Sequence, residues 1–160
     1  MDKKSLEFWL KVVMIGLGLA GIILYMIVLP FFAKETFDYA GGVWKSAFWP
    51  WMVFLWITAI PCYVVLFYGW RIASRIGIGK SFSRQNAMDM KKIGMLALGD
   101  SAIFVGGSIL LLFFHINHPG ILLMSIFIPF IGVSIAVVAM VLSHFIYKAA
   151  LMEEEAELTI

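Results

Sequence analysis

Charge is scarce in this sequence. Asp, Glu, Lys and Arg make up 14% of its 160 residues, against about 25% in an ordinary soluble domain. Cysteine occurs once, at Cys62, which excludes an intramolecular disulfide and a cysteine-clustered zinc site. There is no glycine-rich phosphate loop and no cysteine pair for thiol chemistry. No set of carboxylates and histidines recurs at one depth, so the chain reads as non-enzymatic, with no cofactor and no metal. The ~10-residue alternating segments of a membrane β-barrel are missing as well. What remains is apolar: 62% of residues are hydrophobic and the mean hydropathy is +0.97. That balance excludes a disordered chain, a protein that coats nucleic acid directly and most soluble enzymes. It makes a bilayer the solvent.

Four apolar runs cover about residues 10–32, 48–68, 93–114 and 121–147. Each reaches the ~20 residues that a helix needs to cross a ~30 Å hydrocarbon core. A helix also satisfies its own backbone hydrogen bonds, as lipid requires. The fold expected is therefore an all-α integral membrane protein, a single four-helix bundle over residues 1–160. Ten of the twelve basic residues fall at the N-terminus, in the 69–92 connection or after the fourth run, and only Lys34 and Lys45 lie elsewhere. The positive-inside rule then places both termini, a 69–92 loop and an acidic tail, 148–160, in the cytoplasm of a multi-pass cell-membrane protein. Trp44, Trp49 and Trp51 at one boundary and Trp9 and Trp70 at the other read as interface anchors. The apolar run behind Lys3 and Lys4 is too long for a ~7–15-residue signal-peptide core, so it is expected to be a retained span.

The connections carry their own signals. Residues 33–47, with Gly41-Gly42, are expected to be irregular or partly a short surface helix. Residues 115–120 form a tight connection, with Pro119-Gly120 as turn chemistry, so spans three and four make an antiparallel hairpin. His115 and His118 lie there without a third ligand and read as solvated interface residues. On the basic side Ser83 has the character of a helix N-cap, and the helix that follows should project about two turns beyond the membrane.

Two features lie inside the spans. Ser125, Pro129, Gly132, Ala136, Ala139 and Ser143 recur at spacings of three and four, which puts them on one helix face. Gly16 and Ala20 form a smaller pair of the same kind. Small faces let membrane helices approach, within one chain or in a homo-oligomer. Pro129 and Pro61 are expected to kink their helices. Asp100 is an acidic residue inside an apolar run, about 10 Å past Ile93 at ~1.5 Å per residue. A carboxylate there costs ~2.5–3.5 kcal/mol at mid-membrane and needs a partner or a proton. His144 and Lys11 are the candidate partners. Cys62 reads as a small packing residue.

Phe82-Ser83-Arg84-Gln85-Asn86, then Met90-Lys91-Lys92-Ile93-Gly94, resembles the signature of a bacterial membrane protein family, domain of unknown function 2975. The acidic end closing in Leu158-Thr159-Ile160 resembles that family's tail. Gln85 stands where the family usually has an acid, and Ser81 where it often has proline. The resemblance implies an integral membrane protein with no established activity, often encoded beside a small helix-turn-helix regulator. It suggests an accessory or regulatory protein whose cytoplasmic face binds such a regulator. The residues to test for binding are Phe82, Ser83, Asn86, Lys91 and Lys92, then Leu158, Thr159 and Ile160. The alternative is a small transporter, working alone or as a homo-oligomer, with Asp100 as coupling group. A structural subunit of a larger membrane complex is a third reading.

Overall fold

The computed structural model describes residues 2–40 and 46–158, and the regular elements in them are helical. The first is α1 (Lys3–Ile23), which passes through a π-helical stretch (Leu24–Val28) into α2 (Leu29–Ala40). Next come α3 (Phe48–Gly77) and α4 (Arg84–Phe113). A short α5 (Pro119–Ser125) leads into α6 (Phe127–Leu158). Four rods result, Lys3–Tyr39, Phe48–Gly77, Arg84–Phe113 and Pro119–Ala156, each long and apolar enough to cross a bilayer.

The rods are longer than the apolar runs. Residues 84–92 begin α4, as the Ser83 cap and the two-turn projection require, and residues 69–77 complete α3, so the non-helical part of the 69–92 connection is residues 78–83. Arg71 and Arg75 sit one turn apart among Ile72, Ala73 and Ile76. Charge at the wet end of a helix does not break it. At the opposite end α2 carries the first rod to Ala40, through most of the described part of the expected outer loop. The expected break at Gly41-Gly42 lies outside the described residues. The π-helical stretch precedes Pro30. Proline lacks the N–H that would reach the Met26 carbonyl, and a wider turn accommodates its ring. The Leu29 N–H accordingly donates to the Leu24 carbonyl, five residues back.

Both described helix reversals use left-handed caps. Gly79 (φ 82°) ends α3, with its N–H on the Ile76 carbonyl and the Lys80 N–H on the Arg75 carbonyl. His115 (φ 57°) ends α4 in the same way, on the Leu112 carbonyl, with Ile116 on Leu111. These paired bonds are Schellman motifs. Pro119 and Gly120 do not form the expected turn. His118 caps α5, its Nδ1 accepting from the Gly120 N–H at 3.0 Å, and Pro119 occupies the first helical turn. Proline is suited to that place because its missing N–H would be unpaired there anyway. Asn117 is buried and ties the reversal down by donating to the Ser108 carbonyl and accepting from the His118 N–H. Trp51 adds an indole N–H to the Ile116 carbonyl at 2.8 Å.

Packing follows chain order. Among the described residues, each rod's backbone approaches the next rod in sequence, and the first does not approach the third or fourth. The most extensive seam joins α4 and α6. There Ala136, Ala139, Ser143 and Ala150 are buried, and the Ser143 hydroxyl donates to the Ala87 carbonyl at 2.6 Å. A Cβ on Gly132 would collide with the Ser101 hydroxyl, and one on Gly94 would press on Met140 and the Ala136 carbonyl. The small-residue face of the fourth rod is therefore spent within the chain. Pro129 is buried at the start of α6, where the helix interrupts at Ile126. The ring removes the bond that would have reached the Ser125 carbonyl. Pro61, by contrast, lies inside an unbroken α3.

The α3–α4 seam holds Phe54, Phe104 and Leu111, with the Phe54 ring seated on Gly107. The first rod meets α3 through Gly18 and Gly21, where Tyr63 donates to the Gly18 carbonyl at 3.0 Å. Gly16 faces open space instead, and Ala20 is exposed, so that pair is not an intrachain contact.

Candidate functional site

The start of α1, the 78–83 connection and the end of α6 lie at one end of the molecule, because successive rods run antiparallel. Lys3 reaches the Gly79 turn, and Glu7 lies against Gly77. This basic end is organised around a buried polar cluster that joins α3 to α4. Asp89 is 3% exposed and accepts from the Arg75 guanidinium at 2.6 Å, with Arg71 at 3.5 Å. Arg75 also donates to Asn86 at 3.1 Å. Asn86, fully buried, donates both amide hydrogens, to the Lys80 and Ser81 carbonyls, at 3.0 Å each. Its backbone N–H is capped by the Ser83 hydroxyl at 3.2 Å. A short connection is thereby fixed at both ends by side chains that follow it.

The fixed connection holds apolar side chains outward. Phe82 is 57% exposed and Ile78 is 71% exposed. Beside them the Arg84 guanidinium makes a two-pronged pair with Glu154 of α6, at 3.0 and 2.6 Å. This bond and the carboxylate charge raise the Arg84 pKa above its ordinary value. The same guanidinium lies over the Tyr147 ring. The expected acidic tail is thus a continuation of α6, docked on α4 through one glutamate. Leu158 is the last helical residue, and Thr159 and Ile160 lie outside the described residues.

The sequence-selected residues sort themselves by this geometry. Ser83 and Asn86 are internal fastenings, so their side chains are occupied and only Phe82 among the three presents a free surface. Lys92 is exposed and lies over the Tyr68 ring of α3. Lys91, also exposed, lines a groove of about 420 Å³ between α4 and α6 with Met88, Met140, Ser143, His144 and Tyr147.

Neither expected partner of Asp100 reaches it. His144 is exposed on α6 beside Phe145. Lys11 pairs with Glu7 and lies over the Trp70 ring. The neighbour of Asp100 is Cys62 of α3, whose thiol lies 3.9 Å from one carboxyl oxygen. The other oxygen is buried without a partner. Tyr25, on the π-helical stretch, lies next to Cys62 and Thr58. Asp100, Cys62, Tyr25 and Thr58 form a small polar node within the membrane-spanning part. Among the described residues no group of three His, Cys, Asp or Glu side chains could hold a metal.

Sequence reasoning missed Asp89, Arg71 and Arg75 as one cluster, and Tyr25 and Cys62 as neighbours of Asp100. The first had a readable signal: two arginines one turn apart before a short connection, and an acid nearly two turns after Ser83. The second had none, because helix rotation decides which side chains meet across a seam.

The profile of the family described as "Protein of unknown function (DUF2975)" matches residues 43–160. The chain belongs to this family. The chain is also 28% identical over 164 aligned positions to a protein of Bacillus subtilis (strain 168) named "Uncharacterized membrane protein YoaS", with 100% of both chains covered. No solved structure matches. The DUF2975 match contains the polar cluster, the Arg84–Glu154 pair and Asp100. It begins beyond the first rod, which the Bacillus relative does cover.

Proposed function

We propose that this protein is a non-catalytic accessory protein of the cell membrane whose basic end faces the cytoplasm and docks a regulatory protein. The observation that carries the reading is the exposed Phe82 and Ile78 pair on a connection fixed by Asn86. An apolar anchor held rigidly at a wet end loses little entropy on binding, which is what a docking point needs. The concentration of Lys and Arg at that end supports the cytoplasmic orientation. The partner proposed is a small helix-turn-helix regulator. Its basic DNA-binding face is complementary to Glu153, Glu154 and Glu155, and engaging it would compete with Arg84 for Glu154. Affinity purification from the native host in mild detergent tests this, using the intact chain, a chain ending before Glu153, and Phe82→Ser. A regulator that co-purifies with the intact chain and is lost from both variants supports docking. A chain that purifies alone refutes it.

A second reading is transport, with Asp100 as the coupling group. It is favoured by the unpartnered carboxyl oxygen in the polar node. An ionisable group in the membrane commonly marks a pathway. Asp100→Asn separates the two: it would abolish transport and leave docking intact. Outward-facing small residues, among them Gly16, Ala20 and Gly106, supply the surface for a homo-oligomer in either case.

A further inference from the structure

The groove between α4 and α6 joins an apolar lining to a polar one. Its floor is formed by Met140 and the buried Ala87, with the exposed Met88 at its edge. Its rim is polar, with Lys91 on α4 and His144 and Tyr147 on α6. Lys91 takes part in no ion pair among the described residues. The neighbouring Arg84 is neutralised by Glu154, and Lys148 follows Tyr147 on the same helix. The local balance therefore favours an anion.

Depth decides which anion. Lys91 stands two residues before Ile93, where the apolar run of α4 begins. His144 and Tyr147 close the apolar run of α6. The groove straddles the boundary between hydrocarbon and headgroups, with Met140 on the apolar side and Tyr147 at the level where tyrosine anchors collect. A free phosphate would gain nothing from the methionine floor. A phospholipid would place its phosphate between an ammonium and the ring N–H and hydroxyl donors, and an acyl chain along the floor.

From this arrangement we infer that the α4–α6 groove is a binding site for one anionic phospholipid, its phosphate held by Lys91, His144 and Tyr147. The site is independent of the docking reading: it assigns Lys91 to lipid and leaves Phe82 and the acidic end of α6 to a protein partner.

The test uses the full chain in nanodiscs of phosphatidylcholine with increasing phosphatidylglycerol, with retained lipid counted by native mass spectrometry and thermal unfolding read in parallel. Wild type is expected to retain one phosphatidylglycerol in preference to phosphatidylcholine and to unfold at higher temperature with it. Lys91→Gln is expected to lower that preference roughly fivefold, the equivalent of ~1 kcal/mol at 1.4 kcal/mol per tenfold. Lys91 and His144 are both exposed, so Lys91→Gln with His144→Ala leaves the packing in place and should abolish the preference. Met140→Trp, which fills the floor and keeps every charge, should also displace the lipid. Lys80→Gln serves as a control that retains it. Equal retention of the two lipids by wild type would overturn the proposal. So would an unchanged preference in the double variant, or glycerol 3-phosphate alone giving the same thermal shift.

Discussion

Replacing Asp89 with asparagine removes one charge from the centre of the α3–α4 fastening and changes almost no volume. Asp89 is 3% exposed and lies 2.6 Å from Arg75, whose side chain is 16% exposed. Breaking a buried pair by removing one partner costs about 3–5 kcal/mol, because the other charge is left uncompensated. Two features reduce the cost here. Arg75 keeps its bond to Asn86, and asparagine still offers one acceptor. We expect a loss of about 2–3 kcal/mol, roughly a 30- to 140-fold shift in the unfolding equilibrium at 1.4 kcal/mol per tenfold. Arg71 provides the internal comparison. It lies at 3.5 Å from the same oxygen and is 41% exposed, so Arg71→Gln should cost no more than about 1 kcal/mol. The assay is equilibrium unfolding in mixed micelles with increasing dodecyl sulfate, followed by tryptophan fluorescence. Adding Arg75→Gln to Asp89→Asn should cost less than the two singles together, because the partners share one interaction. An Asp89→Asn chain within about 0.5 kcal/mol of wild type would refute the reasoning, since surface changes of no structural consequence fall in that range. Equal losses for Asp89→Asn and Arg71→Gln would refute it as well.

Asn86→Ala removes the bonds that hold the Lys80 and Ser81 carbonyls, and should speed tryptic cleavage at Lys80 in the folded protein, read by limited proteolysis. Gly107→Ala and Gly132→Ala should lower thermal stability, because Phe54 and Ser101 occupy the space a Cβ would take. Gly16→Ala and Gly106→Ala, which face open space, should be neutral or slightly stabilising in the monomer. His115→Gly should raise stability by about 0.5–1 kcal/mol in the same unfolding assay, since a left-handed residue with a Cβ is strained, and Gly79→Ala should lower it comparably. Arg84→Gln should release the end of α6, seen as faster proteolysis after Glu154, while global stability stays close to wild type because the pair is exposed.

The spans and the Ser83 cap were legible because each depends on local chemistry: hydropathy over twenty residues, and one hydroxyl before a helix. The small-residue stripe from Pro129 to Ser143 was legible as a face. Its partner was not, since α4 and a second copy would demand the same residues. The end of α3 was not legible at Arg71 and Arg75, because a solvated helix end tolerates charge and hydropathy falls there without a break in the helix. Pro119 misled for a related reason: after a capping residue, proline begins a helix as readily as it makes a turn. Asp100 stood out by type, but Cys62 as its neighbour depended on the rotation of α3 against α4, and no spacing within one helix encodes that.

The order of contacts between rods has a consequence for how this protein reaches its membrane form. Among the described residues each rod's backbone packs on the one made just before it. Such a chain can assemble as it leaves the ribosome, one rod settling against the last while the next is still being made. The polar cluster at Arg75 and Asp89 would close when α4 begins to emerge, before its apolar part is complete. The last rod would add the longest seam to a platform already formed. Interrupting synthesis after α4 should therefore leave a three-rod intermediate with its Arg75–Asp89 bond made and the α6-facing side of α4 bare to lipid.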